Sequence, residues 1–190
     1  MRRINVTGTS CSGKTTLATE LARRLDVPHI EFDALFWGPA WTPVPTEVFR
    51  ARLATEMAAD AWVADGGYAA VRDLTWSRAD TIVWLDYPMR TVLARWARRT
   101  VRRIRSREEF WRGTGNRETI RNALRRDGLL WWILSTHRRR HRTMAQAMRE
   151  RDDLHWIRLR NSREAAVWLA SVQPSSAATT AGARASAQNP

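Results

Sequence analysis

Eight residues, Gly8-Thr-Ser-Cys-Ser-Gly-Lys-Thr15, constrain this chain more than any other stretch. They match G-x-x-x-x-G-K-[ST] at every fixed position, and the context the pattern needs is present on both sides. Ile4-Asn-Val-Thr7 reads as a short strand running into Gly8, and Leu17, Ala18, Leu21, Ala22 and Leu25 recur at helical spacing directly after Lys14. A glycine-rich turn between such a strand and helix lets successive N–H groups point inward at an anion. The helix adds its unpaired first-turn amides and the positive end of its dipole. In a loop of this kind the lysine reaches the β- and γ-phosphates of a nucleotide and the Thr hydroxyl ligates Mg²⁺. We therefore read Gly8, Thr9, Ser10, Cys11, Ser12, Gly13, Lys14, Thr15 and Thr16 as a nucleoside-triphosphate-binding segment. Within it Thr15 is the direct magnesium ligand and Thr16 lies toward the α-phosphate.

Composition sharpens the reading of Lys14. Of 32 basic residues, 31 are arginine and Lys14 is the one lysine. Whatever bias replaced lysine elsewhere spared the position where a compact ammonium does what a planar guanidinium cannot. Cys11, the only cysteine, has no second cysteine or nearby histidine to work with and reads as a spacer of the loop. A single thiol also excludes an internal disulfide.

Beyond the loop, strand and helix patterns alternate. Strands are expected at Pro28–Asp33, Ala61–Asp65, Asp80–Asp86 and Leu154–Leu159. The fourth, Asp80-Thr-Ile-Val-Trp-Leu-Asp86, is nearly all apolar, as strands buried on both faces are. A Pro- and Trp-rich loop is expected over 34–45, then a helix capped by Thr46 to about Ala59. Pro88 is expected to open a helix to about Arg103, with further helix from about Asn116 to Arg149. Ser162 is expected to cap a closing helix to about Val172. The pattern predicts an α/β fold: a parallel five-stranded P-loop NTPase sheet with helices on both faces and a helical, Arg-rich lid region at about 105–128. The domain spans 1–172, and the Ala-, Ser- and Thr-rich 173–190 reads as a disordered tail. Ligands bind at the carboxyl ends of such strands, where residues 8–15, Asp33, Asp65 and Asp86 fall.

Charge points to an anionic partner. The net charge is +13, and residues 90–142 alone hold 17 arginines against four acids, so the remainder balances. Phosphates of a nucleotide or a nucleic acid backbone would suit that segment. No apolar run approaches the ~20 residues of a membrane span, and the N-terminus lacks a signal-peptide pattern, so a cytoplasmic location with no membrane partner is expected.

The chain also resembles the adenylate-kinase-like P-loop kinases, and within them a bacterial group known as "DNA topology modulation protein". The resemblance covers about residues 2–171. It rests on the P-loop, on His29-Ile-Glu-Phe-Asp33-Ala-Leu-Phe-Trp37 and on Trp62-Val-Ala-Asp65-Gly-Gly-Tyr68. It continues in Trp84-Leu-Asp86-Tyr-Pro88 with spaced arginines after it, and in Arg138-Arg-Arg-His141-Arg142. It implies that Asp65 holds Mg²⁺ through water, that Arg72 meets the acceptor's phosphate, and that Arg95 and Arg99 contact the donor nucleotide and the transferring phosphate. Arg95 and Arg99 stand at i and i+4, sharing a helix face with Arg102 while Arg103 lies to its side. The chain departs from adenylate kinases in having Asp-Gly-Gly-Tyr where they carry Asp-Gly-Phe-Pro-Arg, and in a short, Trp-rich segment 34–60.

Three roles are open to Asp33: accepting a hydrogen bond from an acceptor hydroxyl, acting as general base, or helping to position Mg²⁺. Tyr68 and Arg72 join it as acceptor-binding candidates, and Trp37 and Trp41 form either an acceptor wall or packing. Asp86 reads as structural. With no N-K-x-D tetrad for reading guanine, the expectation is an ATP- and Mg²⁺-dependent phosphotransferase, a small-molecule, nucleoside or nucleotide kinase. Lys14, Asp33, Arg95 and Arg99 would carry its chemistry. The alternative is a nucleic-acid-binding P-loop ATPase, with Arg and Trp (Trp96, Trp111, Trp131, Trp132) stacking bases. Nucleic acid binding is expected to be weak.

Overall fold

A computed structural model describes residues 1–111, 113–126 and 128–173, so the expected tail falls outside the described residues from 174 onward. Five strands form one parallel sheet in the order β2-β3-β1-β4-β5. They are β1 (Arg3–Gly8), β2 (His29–Glu31), β3 (Trp62–Asp65), β4 (Thr81–Leu85) and β5 (His155–Leu159). β1 is central, with Val6 opposite Asp65 of β3 and Val83 of β4. The chain leaves β1 toward α1 (Lys14–Leu25) at the point where the strand order reverses. A parallel sheet leaves its crevice there.

Period-2 alternation assigns each side chain of the central strands to one of two helical layers. Ile4, Val6, Val83 and Leu85 face Leu17, Ala18 and Leu21 of α1, together with Val92 of α5 (Met89–Ser106) and Ala165 of α8 (Ser162–Ser171). Ile82 and Trp84 face the other way, onto Trp76 of α4 (Arg72–Arg78) and Met144 and Ala147 of α7 (Leu129–Glu150). A third cluster joins Ile30, Phe32 and Trp62 to Phe49 and Leu53 of α3 (Thr46–Glu56). β4 is buried on both faces throughout, which is why its sequence is continuous in apolar residues rather than alternating.

Several expected boundaries move. β2 stops at Glu31, and Phe32–Phe36 form a short helix, α2, because Phe32 turns into the α3 cluster and draws the chain out of the sheet. Residues 34–45 are therefore not wholly loop: α2 runs into them, and Pro39–Trp41 make one 3₁₀ turn. Pro45, not Thr46, precedes the first turn of α3 and no side chain caps it. Pro88 is the cap of α5 rather than its first residue, and that helix runs on to Ser106. Asn161 caps α8, accepting from the Glu164 amide at 2.9 Å, so Ser162 is its first residue. The expected helix 116–149 is two helices, α6 (Ile120–Leu124) and α7, broken at Gly128. A Cβ at Gly128 would stand 2.6 Å from the Asn122 carbonyl oxygen, so glycine is what lets α7 start so close to the end of α6. The lid region is thus mostly not helical among the described residues: those of 107–119 are irregular, closed by a bridge between Glu109 and Arg117. No helix among the described residues is long and apolar enough to cross a membrane.

Candidate active site

The loop after β1 is shaped for an anion. Gly13 caps α1 at φ 93°, Cys11 also takes a positive φ of 64°, and the Ser12 amide donates to the Thr9 carbonyl at 3.1 Å. No side chain caps α1 and no acid stands in its first turn, so the helix presents its free amides and dipole to the crevice. Lys14 folds back over the loop, its Nζ donating to the Thr9 carbonyl at 3.2 Å. Lys14 is half-buried rather than extended into solvent. Burial lowers the pKa of its ammonium, against the opposing pull of Asp33 and then Asp65. Thr15 and Thr16 are exposed on the crevice side of α1. Burial also raises the Cys11 thiol, despite Arg99 and Lys14 nearby, which keeps it protonated and agrees with a spacer.

Asp65 ends β3 opposite Glu31 of β2. It is 3% exposed, and its Oδ1 makes no hydrogen bond, although His29 Nε2 lies 3.4 Å away. A buried carboxylate oxygen with an unfilled lone pair beside a threonine-bearing loop is a hard-oxygen donor set, and it fits Mg²⁺ held partly through water. Ser12 Oγ is likewise buried and unbonded. The next residue, Gly66, is there for space: a Cβ on it would sit 2.3 Å from the Phe32 ring.

Asp33 is not at a strand end but in the first turn of α2, exposed, where it accepts a short hydrogen bond from the Tyr68 hydroxyl. Burial, then the Asp33 charge, pushes the Tyr68 phenol well above its usual range, so the proton stays on the tyrosine. Glu31, which the sequence reading passed over, lies beside these groups. Burial raises its pKa, as do Asp65 and Asp33, while the Trp111 indole N–H donates to it at 3.2 Å.

Arg95 lies against the phosphate loop. Its guanidinium donates to the Ser12 carbonyl and to Ser162 Oγ (2.8 Å), and it stacks on Tyr87 at 4.8 Å. Gly13 makes the approach possible, since a Cβ there would be 2.8 Å from Arg95 Nη1. Arg99 and Arg103 continue the row: Arg103 covers the Phe110 ring at 3.6 Å and Arg99 stands 6.0 Å from it. Arg99 Nε and Arg103 Nη1 are buried without a hydrogen-bond partner, and burial followed by the Arg99 charge lowers the Arg103 pKa. The expected partner of this face, Arg102, is exposed, and the half-buried Arg103 replaces it. Residues 95, 99 and 103 stand at i, i+4 and i+8, a row along one side of the helix.

The described residues of 107–119 are joined to the loop after α2. Asn116, 1% exposed, accepts from the Trp41 amide at 2.9 Å and donates to the Gly38 carbonyl at 3.0 Å. Trp41 packs edge-on against Phe110 (4.6 Å) and Trp111 (5.9 Å), and Trp37 packs edge-on against Trp41 (6.0 Å).

Helix α7 brings in residues that the sequence reading missed. His137 Nδ1 is 3.2 Å from Thr9 Oγ1, and Arg140 donates to the Gly67 carbonyl at 3.1 Å. His141 Nε2 lies 3.4 Å from Asp86 Oδ2, and Arg158 donates twice to that oxygen, at 2.6 and 2.9 Å. The spacing 137, 140, 141 was the available signal, one helix face carrying His and Arg. It was hidden in a run of arginines. Arg72 stacks on Trp76 at 5.0 Å, and its charge reaches Arg140. It makes no contact with Asp33 or Tyr68 among the described residues.

No protein-family model matches the chain, and no curated protein matches it. Solved structures do. Shikimate kinase from Acinetobacter baumannii, in complex with shikimate, aligns over 99% of this chain and 96% of its own, with a TM-score of 0.51 and 17% identity. A gluconokinase from Sinorhizobium meliloti 1021 aligns over 89% and 91%, with a TM-score of 0.50 and 18% identity. The fold is that of the P-loop kinases. The comparisons do not reach the narrower bacterial group named above.

Proposed function

We propose that the protein is a small-molecule kinase that transfers the γ-phosphate of ATP, with Mg²⁺, to an acceptor hydroxyl. One observation carries this reading: Lys14 folds over a loop whose left-handed Cys11 and Gly13 and uncapped α1 suit an anion, and the buried, unbonded Asp65 Oδ1 ends the neighbouring strand β3.

In this reading the loop amides and Lys14 hold the donor phosphates, and Arg95, Arg99 and Arg103 neutralise charge on the side facing α5. Thr15 and Asp65 would hold the magnesium ion, which supplies further charge neutralisation when bound. Asp33, fixed by the Tyr68 hydroxyl, orients the acceptor hydroxyl and accepts its proton. Arg140 borders the acceptor side. Arg72 reaches that side only through its charge on Arg140, and direct contact with the acceptor is not part of this proposal. The Trp111 and Asn116 contacts hold the lid over the cleft and keep water from the phosphates.

The exposed arginines alone would serve the rival reading, a nucleic-acid-binding ATPase. Those nearest the loop are instead turned inward and grouped around it. A panel of sugars, hydroxy acids, nucleosides and nucleotides, scored for ADP release, tests the proposal. Release that is stimulated by a small hydroxyl compound and lost in Asp33→Asn supports it. Release stimulated by DNA and by no small compound refutes it.

A further inference from the structure

Nine large apolar side chains are exposed among the described residues, and five of them fall within fifteen positions: Ile120 (64%), Leu124 (58%), Trp131 (47%), Trp132 (48%) and Leu134 (41%). Ile120 and Leu124 are i and i+4 on α6, and the other three open α7. The two helices are locked together at Gly128. A soluble monomer seldom leaves large apolar groups concentrated in this way without a partner.

The charges around the patch say what partner fits. The stretch 120–142 holds seven arginines and one acid. Arg121 and Arg126 are exposed beside the α6 pair, and Arg138, Arg139 and Arg142 are exposed one to two turns beyond Leu134. Helix α7 is thus divided along its length, with Leu-Leu-Trp-Trp-Ile-Leu first and the arginines after. A second copy of this chain would have to bring two such basic surfaces together, which like charge opposes. Single-stranded nucleic acid would use Trp131 and Trp132 for stacking, but it has no use for exposed Ile120, Leu124 and Leu134. An anionic bilayer surface uses all of them. Aliphatic side chains enter the acyl boundary, tryptophans sit at headgroup depth, and arginines meet lipid phosphates.

We propose that the α6–α7 tip is a peripheral docking surface for anionic lipid membranes. This departs from the expectation of no membrane partner; Ile120 and Leu124 lie in the lid region, whereas Trp131, Trp132 and Leu134 lie beyond it on α7.

The test is co-sedimentation of the full chain with vesicles of phosphatidylcholine alone or mixed with phosphatidylglycerol. Ile120→Ser/Leu124→Ser and Trp131→Ser/Trp132→Ser are compared with the wild type, and far-UV circular dichroism and ATP binding confirm that both still fold. The expected result is binding to the anionic vesicles, little to phosphatidylcholine, and a fall of about tenfold or more in each variant, as the loss of two partly buried apolar side chains implies. No binding to anionic vesicles would overturn the proposal, as would binding that neither variant weakens, which would be charge attraction alone. Two further results would overturn it: oligonucleotide binding lost only in the tryptophan variant with no vesicle binding, or a dimer in solution dispersed by the same substitutions.

Discussion

Arg95→Ala separates what holds the site together from what the site does. The guanidinium donates to the Ser12 carbonyl and to Ser162 Oγ and stacks on Tyr87, joining α5, the phosphate loop and the start of α8. Arg95 is half-exposed, so these contacts are worth less than in a dry core. A charged hydrogen bond or two and one ring contact together come to about 2 kcal/mol, or about 4–8 °C in Tm for a chain of this length. A fold stabilised by about 5–15 kcal/mol survives that. If Arg95 also meets the transferring phosphate, turnover should fall by ~10³-fold, about 4 kcal/mol in the barrier, beyond what stability explains. The assay is ADP release at a temperature well below both melting points, with Arg98→Ala and Arg102→Ala as controls from the exposed side of α5. Those two should stay within about twofold, as surface substitutions do. Added guanidinium should restore part of the lost turnover. A Tm lower by several degrees with turnover within threefold of wild type would refute the reasoning and leave Arg95 as a staple.

Lys14 is held below its ordinary pKa by burial. The unfolded state therefore binds more protons between the folded value and 10.5, so in that window the cost of burying the charge lifts as pH rises and stability increases. Phosphates reverse the shift, so ATP binding at alkaline pH should take up about one proton at most per site. Calorimetry in buffers of differing ionisation enthalpy measures the uptake, which should be missing in Lys14→Met. Asp65→Asn should lower turnover by about 10²–10³-fold while ATP affinity falls much less, because the loop amides remain; loss of ATP binding in parallel would make Asp65 structural. Asn116→Ala removes two buried hydrogen bonds to Gly38 and Trp41, each worth about 1 kcal/mol. Trypsin should then cut after Arg105, Arg107 or Arg117 about tenfold or more faster, and unchanged cutting would show that Asn116 does not fasten the lid.

The sheet and the phosphate loop were legible because the signals there are local. A loop with fixed spacing, an amphipathic helix on its heels and a wholly apolar β4 each declare themselves within a dozen residues. The misread boundaries share one cause, a tertiary contact overriding local pattern. Phe32 turns the chain out of β2 because it packs under α3. Gly128 breaks what reads as one helix because the carbonyls of α6 press on it.

The missed site residues follow from the same limit. Glu31, His137 and Arg140 acquire meaning only when α7 and β2 are brought beside the loop, more than a hundred positions apart in sequence for Thr9 and His137. The arginine-rich composition made this harder, because a run such as Arg138-Arg-Arg-His-Arg142 hides its one inward arginine. In the fold the run sorts itself by helix geometry: Arg140 turns to Gly67 while Arg138, Arg139 and Arg142 stay outside. The arginine run of α7 thus divides between two surfaces of one helix. Its inward arginine borders the proposed cleft, and its outer arginines follow the apolar tip of α6 and α7. Substituting the outer arginines should therefore leave ADP release intact and weaken attachment to anionic vesicles, a separation that a single nucleic-acid groove would not give.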